Sequence, residues 1–168
     1  DQIHFPDQLI ILSLKDSLCF DPIDFPTNLI TLSLISSRFN VSKIQSLSNL
    51  NTLFVEYGKH ELPLNIFPLP PKITSFTFKA VTIENDIIDL SSIPNTLTSL
   101  ELFQYNSECL LKLPKVLPKG LKLLDIFKFK IPNDELVVPK SVTALHLRCF
   151  ALNKLTIFSK HLTELNIR

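Results

Sequence analysis

Apolar residues, most often leucine, recur along the chain in a fixed L-x-x-L-x-L arrangement. The phrase "IPNTLTSLEL", residues 93–102, shows the arrangement most clearly, and seven other segments match it at three apolar positions. Successive copies are separated by 20 to 24 residues. Eight matches at nearly constant spacing predict a structure built from eight stacked units. The first core positions of the eight copies are Leu9, Leu29, Leu50, Ile73, Leu97, Leu121, Val142 and Leu162.

Period-two alternation at the end of each copy predicts one short strand per unit. Leu100, Glu101 and Leu102 alternate in the way that is typical of a strand with one buried face. A proline three residues before the first core position, in six of the eight copies, favours a turn rather than a helix before each strand. Because 20 or more residues separate successive strands, each strand is followed by a crossover and its neighbours run parallel. Stacked units then share one continuous core, which a single unit could not cover.

The segments between the strands are too short and too rich in proline for regular α-helices. Residues 62–71 alone contain four prolines, which remove backbone donors and restrict the residue before each of them. The best candidate for one or two helical turns is residues 84–93, with Asn85 or Asp86 as the N-cap. Elsewhere the convex side is predicted to be extended chain, loops and short 3₁₀ turns, with little α-helix.

The L-x-x-L-x-L core on a period of 20–24 residues resembles the leucine-rich repeat superfamily over nearly the whole chain. Residues 93–102, together with Phe39, Asn40 and Ile44 of the second copy, are similar to the FNIP-type repeats of amoebal and giant-virus proteins. The proline before the strand is also similar to the short "LPxxLxxL" repeats of secreted bacterial effectors. The resemblance implies a leucine-rich-repeat solenoid of the α/β class, mostly parallel β, formed by residues 1–168 as a single domain.

The column three residues after the last core position departs from that superfamily, which usually places asparagine there. The side chain of such an asparagine satisfies backbone groups at the turn that leaves the strand. Here the column includes Gly58, Val81, Phe129 and Phe150, none of which can make those bonds. We expect apolar packing, notably of Phe129 and Phe150, to replace the polar ladder.

The amino-acid composition and net charge argue against several classes of function, among them phosphate binding by a glycine-rich loop and nucleic-acid binding. The 168 residues include only two glycines, which excludes a glycine-rich phosphate loop. The net charge of +1 gives no support for binding nucleic acid or another polyanion. No apolar run approaches the roughly 18 residues that a membrane span needs. The sequence contains no methionine, so we expect a processed chain or a fragment of a longer protein.

The number and spacing of the cysteines indicate the cellular compartment of the protein. Cys19, Cys109 and Cys149 are widely spaced and odd in number, and they match no zinc, redox or paired-cysteine pattern. This favours a reducing, intracellular location. The glycosylation sequon at Asn40 leaves a secreted protein open as the alternative.

Positive charge is concentrated in the second half of the chain. Residues 85–168 carry eleven Lys/Arg and eight Asp/Glu, whereas residues 1–84 carry six and eight. A solvated face and a surface for an acidic partner would both account for this, and the solvated face is favoured. The lysines concerned are Lys112, Lys115, Lys119, Lys122, Lys128 and Lys130.

Few residues offer candidates for catalysis. His146 and Cys149 lie close together near the end of one strand, and the carboxylate that could organise them is Asp125, one repeat away. Without a closer organising group we predict no catalytic residue, no metal ligand and no cofactor.

Glu101 and Asp125 occupy the same column in adjacent repeats, so their side chains are expected to be neighbours. Paired carboxylates can share a proton or hold a cation. We favour instead a surface cluster that Lys122 and Lys128 neutralise.

The residues between the core positions form the concave face of the predicted sheet. Phe103 and Phe127 fall on adjacent strands and point away from a core that the leucines already fill. An aromatic centre rimmed by charges of both signs is typical of protein interfaces. Either the rings anchor a partner, which we favour, or they fold over an edge to cover a flank. Phe54 and Tyr57 predict a second, smaller spot. The predicted partner-binding residues are Phe54, Glu56, Glu101, Phe103, Asp125, Phe127, His146 and Arg148.

These observations predict a non-catalytic scaffold that binds another protein on its concave sheet. The resemblance implies a more specific role, because FNIP-like and other intracellular leucine-rich repeats are often joined to an F-box, a kinase or a ligase domain. The chain would then select substrates for a ubiquitin ligase. A secreted or cell-surface repeat protein, acting in adhesion or ligand recognition, is the alternative. An enzyme is the third reading, and it would have to use Cys149, His146 and Asp125.

Overall fold

A computed structural model describes most of the chain, and the regular structure is almost entirely β. The described residues are 4–16, 24–37, 41–57, 68–80, 87–105, 109–131, 135–150, 152 and 154–168. They contain one short helix, α1 (Val41–Gln45), and twelve strands. The strands are β1 (Ile11–Lys15), β2 (Thr31–Ile35), β3 (Thr52–Tyr57), β4 (Ser75–Ala80), β5 (Ile87–Asp89), β6 (Ser99–Gln104), β7 (Cys109–Lys112), β8 (Leu123–Lys130), β9 (Glu135–Val138), β10 (Ala144–Phe150), β11 (Lys154–Ile157) and β12 (Glu164–Ile167).

Eight of the described strands, one from each predicted repeat, lie side by side in a single sheet. Their order is β1-β2-β3-β4-β6-β8-β10-β12, and every neighbouring pair is parallel. Equivalent template positions stand next to each other, so that Leu100 faces Leu124 and Leu124 faces Leu145. The predicted parallel solenoid is therefore confirmed, with a strand at each of the eight predicted positions.

A tight turn precedes these strands where the proline pattern predicts it. The N–H of Leu97 donates to the carbonyl of Pro94 at 3.2 Å. The third repeat has no proline at this position, yet the N–H of Leu50 donates to the carbonyl of Leu47 at 3.1 Å. Proline restricts the backbone in favour of the turn, but the hydrogen bond between the first core residue and the residue three places earlier forms without it.

Threonine hydroxyl groups reinforce the sheet where the strands begin. The Thr98 side chain donates to the carbonyl of Thr74 in the preceding repeat at 3.0 Å, and Thr163 donates to Thr143 at 3.0 Å. The Thr74 carbonyl also accepts the backbone N–H groups of Thr98 and Ser99. A polar ladder therefore runs along the start of the strands, whereas the leucine-rich repeat pattern would place one at their exits.

The core is a continuous layer of apolar side chains behind the sheet. Template residues of the inner repeats, such as Leu53, Leu100 and Leu124, are fully buried. At the strand exits Phe129 is fully buried as well, which confirms the expected apolar packing at that position. The side chain of Phe150 lies outside the described residues.

Repeats four to seven carry a second short strand on the back of the core, which the prediction of one strand per repeat missed. Strand β5 pairs in parallel with β7, which also pairs with the end of β8 and so joins the main sheet, whereas β9 and β11 form a separate parallel pair. Alternate residues are buried in these strands, among them Ile88, Leu111, Leu136 and Val138. Equivalent segments of consecutive repeats lie one strand spacing apart, so short apolar segments that alternate with polar residues meet in register and pair. The convex side is therefore partly sheet rather than loops and 3₁₀ turns.

The predicted helix at residues 84–93 is wrong for the part that the structure describes. Residues 87–89 form β5, in which Ile88 is buried between two exposed neighbours. The backbone of β7 supplies hydrogen-bond partners along this segment, and they outweigh a weak capping signal. The helix that does form is α1, where Lys43 contacts Asp24 at 2.6 Å.

Some sequence predictions fall on residues outside the described ranges. These are the caps Asn85 and Asp86, the sequon at Asn40, Cys19, and residues 62–67. Within the described ranges, no helix has the length and apolar character needed to cross a membrane.

Candidate functional site

The face of the eight-stranded sheet that points away from the core brings the predicted partner-binding residues together. We call it the open face, and it is formed by the residues between the template positions. Strand register sets one row of neighbours: Glu56, Lys79, Phe103, Phe127 and Arg148. The adjacent row is Phe54, Thr77, Glu101, Asp125, His146 and Asn166. The columns expected from the repeat alignment are therefore present on the folded chain.

Three rings and two cations make a continuous run of contacts across the open face, from β3 to β10. The Lys79 ammonium lies 5.2 Å from the centroid of the Phe54 ring and 5.4 Å from that of Phe103. The Phe103 and Phe127 rings are 6.5 Å apart and inclined by 48°. The guanidinium carbon of Arg148 lies 4.5 Å from the Phe127 centroid. We call these five residues the aromatic–cation row.

Tyr105 and Lys128 extend the row beside Phe127. The Tyr105 ring lies 5.9 Å from the Phe127 ring, and the Lys128 ammonium lies 5.4 Å from the same centroid. The ammonium also donates to the Tyr105 carbonyl at 3.1 Å. Both contacts place additional polar or charged groups against a ring that the sequence predicts to be open to a partner.

A β-bulge in β8 explains why Lys128 is on the open face. Its φ is 61°, and the register between β8 and β10 shifts just beyond Arg148. Ordinary alternation after Phe127 would send Lys128 into the core and Phe129 to the open face. A bulge places two residues opposite one residue of the neighbouring strand. The extra residue therefore shifts the alternation by one position, so that Lys128 is on the open face and Phe129 is on the core side. Phe129 is accordingly buried and Lys128 half-buried.

The two central rings lie where the sequence predicts them. Phe103 and Phe127 are half-buried on the open face. Each contacts residues of the neighbouring strands on both sides, so neither ring folds over an edge of the sheet. Cation–π contacts are worth roughly 0.5–1 kcal/mol each where the cation is exposed. Lys79 and Arg148 therefore stabilise the positions of the rings only weakly, and both rings remain partly accessible to a partner.

Beside the row, four charged side chains form the carboxylate–histidine cluster: Asp125, His146, Arg148 and Glu164. Oδ2 of Asp125 lies 3.1 Å from Nδ1 of His146, and Oε1 of Glu164 lies 3.0 Å from Nε2 of the same ring. A neutral imidazole carries a hydrogen on only one nitrogen. The Nδ1 contact is a hydrogen bond, whereas the Nε2 contact has only the distance of an ion pair, and it is attractive as such when the ring is protonated.

The electrostatics of His146 agree with this geometry. Burial of the ring disfavours its charged form, but the hydrogen bond and the charge of Asp125, followed by those of Glu164, outweigh burial and raise the pKa of His146 above its ordinary value. Asp125 contributes more than Glu164 because its side chain is 10% exposed and that of Glu164 is 63% exposed, so water screens the second contact more strongly.

Arg148 joins the cluster to the aromatic–cation row. Its Nη2 lies 3.8 Å from Oδ1 of Asp125 while its guanidinium carbon packs over Phe127. Asp125 as a whole residue is only 7% exposed. The sequence predicts an exposed acid that meets the partner directly, and in the structure Asp125 is a nearly buried residue that contacts both His146 and Arg148.

The predicted neutralisation of Glu101 and Asp125 by lysines is not what the structure shows. Glu101 accepts a hydrogen bond from the Thr77 hydroxyl at 3.3 Å. The counter-charges of Asp125 come from the next strand, β10, because its side chain leans toward that neighbour rather than toward β6. Lys128, one of the two lysines expected to pair with these acids, is bonded to a backbone carbonyl instead.

The second spot predicted at Phe54 and Tyr57 does not form. Tyr57 is 5% exposed and its ring packs 6.2 Å from that of Phe78 on the core side. Phe54 belongs to the aromatic–cation row through Lys79, which the sequence prediction omitted although its column is the same as that of Phe103. Glu56 is half-buried on the open face, opposite Lys79 in the register.

His146 and Cys149 are the residues that a catalytic reading of the sequence would use, together with Asp125. Both ring nitrogens of His146 face carboxylates, Nδ1 that of Asp125 and Nε2 that of Glu164. The side chain of Cys149 lies outside the described residues. Within the described ranges, no group of three or more His, Cys, Asp and Glu side chains is arranged to hold a metal ion.

The chain matches no protein-family model, no curated protein and no solved structure to which it was compared.

Proposed function

We propose that this chain is a non-catalytic scaffold that binds another protein through the open face, with the aromatic–cation row at the centre of the contact. The observation that carries the proposal is the Phe103–Phe127 pair, held on adjacent strands between Lys79 and Arg148. Neither ring completes the core, which the template leucines fill. Apolar rings held at the surface without a core role are typical of binding surfaces.

The composition of this surface supports a protein as the ligand. Interface centres are enriched in aromatic residues and arginine, and their rims are polar. The row supplies Phe54, Phe103 and Phe127 with Arg148, and the neighbouring row supplies Glu101. Since the aromatic–cation row spans strands β3 to β10, its contacts would reach across five neighbouring strands of the sheet. An extended surface of this kind suits another protein better than a small molecule, which binds in a concave and mostly enclosed site.

Rigidity favours binding as well. The half-buried side chains are already held by ring contacts and by the ion pairs of the cluster, so less rotamer freedom is lost when a partner docks. The hydrogen bond of the His146 ring to Asp125 and its 3.0 Å contact with Glu164 support a positioning role for this residue rather than a chemical one.

The test is a quantitative affinity capture with two baits of equal stability. One bait carries Phe103→Ala and Phe127→Ala. The matched control carries Ile87→Ala and Val116→Ala, which are more exposed apolar residues away from the open face. Circular dichroism and the thermal midpoint verify that each bait is folded.

We expect partners of the wild-type chain to be retained by the control and to be weakened about tenfold or more by the double phenylalanine variant, because truncated interface anchors commonly cost 2 kcal/mol or more. Equal capture by both variants would refute the role of the row. Unfolding of the phenylalanine variant would show that the rings complete the core, which contradicts the proposal in a different way.

A further inference from the structure

The cations that contact the Phe103–Phe127 pair lie toward the ends of the strands, which we call the exit side of the open face. Lys79 and Arg148 belong to the same register row as the two rings, and Lys128 directly follows the second ring in β8. Their charged groups lie between 4.5 and 5.4 Å from the ring centroids. The exit side of the ring pair is therefore positively charged.

Among the described residues, two of these three cations have no carboxylate partner. Arg148 contacts Asp125 at 3.8 Å, whereas Lys79 and Lys128 form no ion pair within the described ranges. Glu56 is the register neighbour of Lys79 in β3, but these two residues are not paired either. The Lys128 ammonium donates to a backbone carbonyl, which does not neutralise its charge. Both lysines can therefore attract carboxylates of a partner.

The acids that precede the two rings in β6 and β8 lie on the other side of the ring pair. Glu101 and Asp125 occupy the adjacent register row, nearer the start of the strands. Asp125 is nearly buried, and Glu101 is half-buried and accepts a hydrogen bond from Thr77. The open face is thus polarised around the rings, with acids on one side and unpaired lysines on the other. A partner that carries carboxylates is attracted to the exit side and stays apart from these acids.

The arrangement of the rings favours a peptide over a single-stranded nucleic acid. A base stacks on an open aromatic face, but Lys79 lies over the Phe103 ring and Arg148 lies over the Phe127 ring. The two rings are also inclined by 48° to each other, so they do not share one stacking plane. An apolar side chain needs no such plane and can pack against tilted rings. Carboxylates for the lysines and an apolar side chain for the rings together describe an acidic protein segment.

From these observations we infer that the partner contacts the open face with an acidic segment. Its carboxylates pair with Lys79 and Lys128, and an apolar side chain between them packs against Phe103 and Phe127. The inference rests on the proposed function, whose partner it describes by its chemistry. Complementary charge of this kind raises the rate of association and selects among partners, while the apolar contact at the rings supplies most of the affinity.

Selection from a displayed library of random peptides tests the inference on the full 168-residue chain. Peptides that bind the wild type but not the double variant Phe103→Ala with Phe127→Ala report the open face. We expect these peptides to carry Asp or Glu on both sides of an apolar residue several-fold more often than the unselected library. Ring-dependent peptides without an excess of acids overturn the inference and leave the proposed function standing. If no ring-dependent peptide is selected, the inference is also overturned, and the affinity capture described above judges the proposed function by itself.

The two lysines are then tested with one selected peptide by fluorescence anisotropy. Lys79→Gln with Lys128→Gln should raise the dissociation constant about tenfold and weaken its dependence on salt. Lys79→Arg with Lys128→Arg keeps both charges and should bind as the wild type does. The matched control is Lys119→Gln with Lys140→Gln, which removes two exposed lysines from the turns before β8 and β10. This control should change the dissociation constant by less than about twofold.

Replacing the acids of the selected peptide by their amides tests the same contact without altering the protein, and it should weaken binding by a similar factor. Circular dichroism verifies that each protein variant is folded. Equal affinities of Lys79→Gln with Lys128→Gln and of the control, together with an unchanged affinity of the amide peptide, would refute the acidic partner. Tighter binding of a single-stranded oligouridine than of the selected peptide would do so as well, in favour of a nucleic acid.

Discussion

Asp125→Ala removes the one carboxylate that the structure places between His146 and Arg148. The Asp125 side chain is 10% exposed, and those of its partners are 19% and 33% exposed. Without the carboxylate, His146 keeps only the contact with the well-exposed Glu164, and Arg148 keeps only the face of Phe127. The Arg148 guanidinium, and the His146 ring where it is protonated, would then lie close together on β10 without their shared counter-charge.

The magnitude follows from the degree of burial. Breaking a fully buried ion pair costs roughly 3–5 kcal/mol, because the remaining charge is stranded in a poor solvent, whereas a surface pair contributes roughly 0–1 kcal/mol. His146 and Arg148 retain some contact with water and can turn toward it. We therefore expect Asp125→Ala to lower the free energy of unfolding by about 2–3 kcal/mol.

The assay is urea denaturation followed by circular dichroism, with Glu101→Ala as the matched control. Glu101 is directly beside Asp125 in the register, but it is half-buried and accepts a hydrogen bond from Thr77 at 3.3 Å. Its loss should cost less than about 1 kcal/mol. Equal destabilisation by the two substitutions would refute the claim that Asp125 anchors the cluster.

An independent readout of the same variant is the titration of His146 by NMR. Asp125 makes the larger of the two carboxylate contributions that raise the pKa of His146, and burial of the ring opposes them. The pKa of His146 in Asp125→Ala should therefore lie below that of the wild type. An unchanged titration would show that the 3.1 Å contact does not persist in solution.

Two further predictions concern pH and the ends of the solenoid. Because folding raises the pKa of His146, protonation of this ring stabilises the folded chain fully below the unfolded pKa of about 6.5, and this contribution is lost as the pH rises through the folded pKa. The urea midpoint of the wild type should therefore fall over that pH range, whereas the midpoint of His146→Gln should not. An equal pH dependence of the two midpoints would contradict this prediction. Leu100→Ala, at a fully buried template position, should cost about 3–5 kcal/mol, whereas Leu165→Ala, at a template position that is 55% exposed, should cost less than about 1 kcal/mol in dilute solution. Similar thermal midpoints for these two variants would contradict the difference in burial between Leu100 and Leu165.

The repeat pattern was enough to predict the main sheet. Apolar residues at Leu97, Leu100 and Leu102 and their equivalents define which side of each strand is buried, and the spacing of 20–24 residues requires parallel neighbours. Register then follows, since a slip of one residue would expose the whole leucine column. For the same reason the sequence alone predicts which open-face residues are neighbours on adjacent strands, such as Phe103 and Phe127.

The back of the solenoid was harder to predict. Segments such as 87–89 and 135–138 contain only three or four alternating residues, too few to distinguish a strand from a turn without knowledge of their neighbours. They become strands because the stacked repeats bring equivalent segments within hydrogen-bonding distance. The tertiary arrangement, rather than local preference, decides their secondary structure.

The sequence by itself determined which residues share the open face, because the direction of each Cβ along a strand depends only on whether its position is odd or even. Tertiary structure decided which of these residues are paired and how deeply they lie. Asp125 is nearly buried because His146 and Arg148 reach across from the next strand to enclose it. Lys128 joins the open face because the β8 bulge reverses the alternation at that residue. Long side chains and backbone irregularities act over a few ångströms between strands, and a one-dimensional pattern carries no record of those distances.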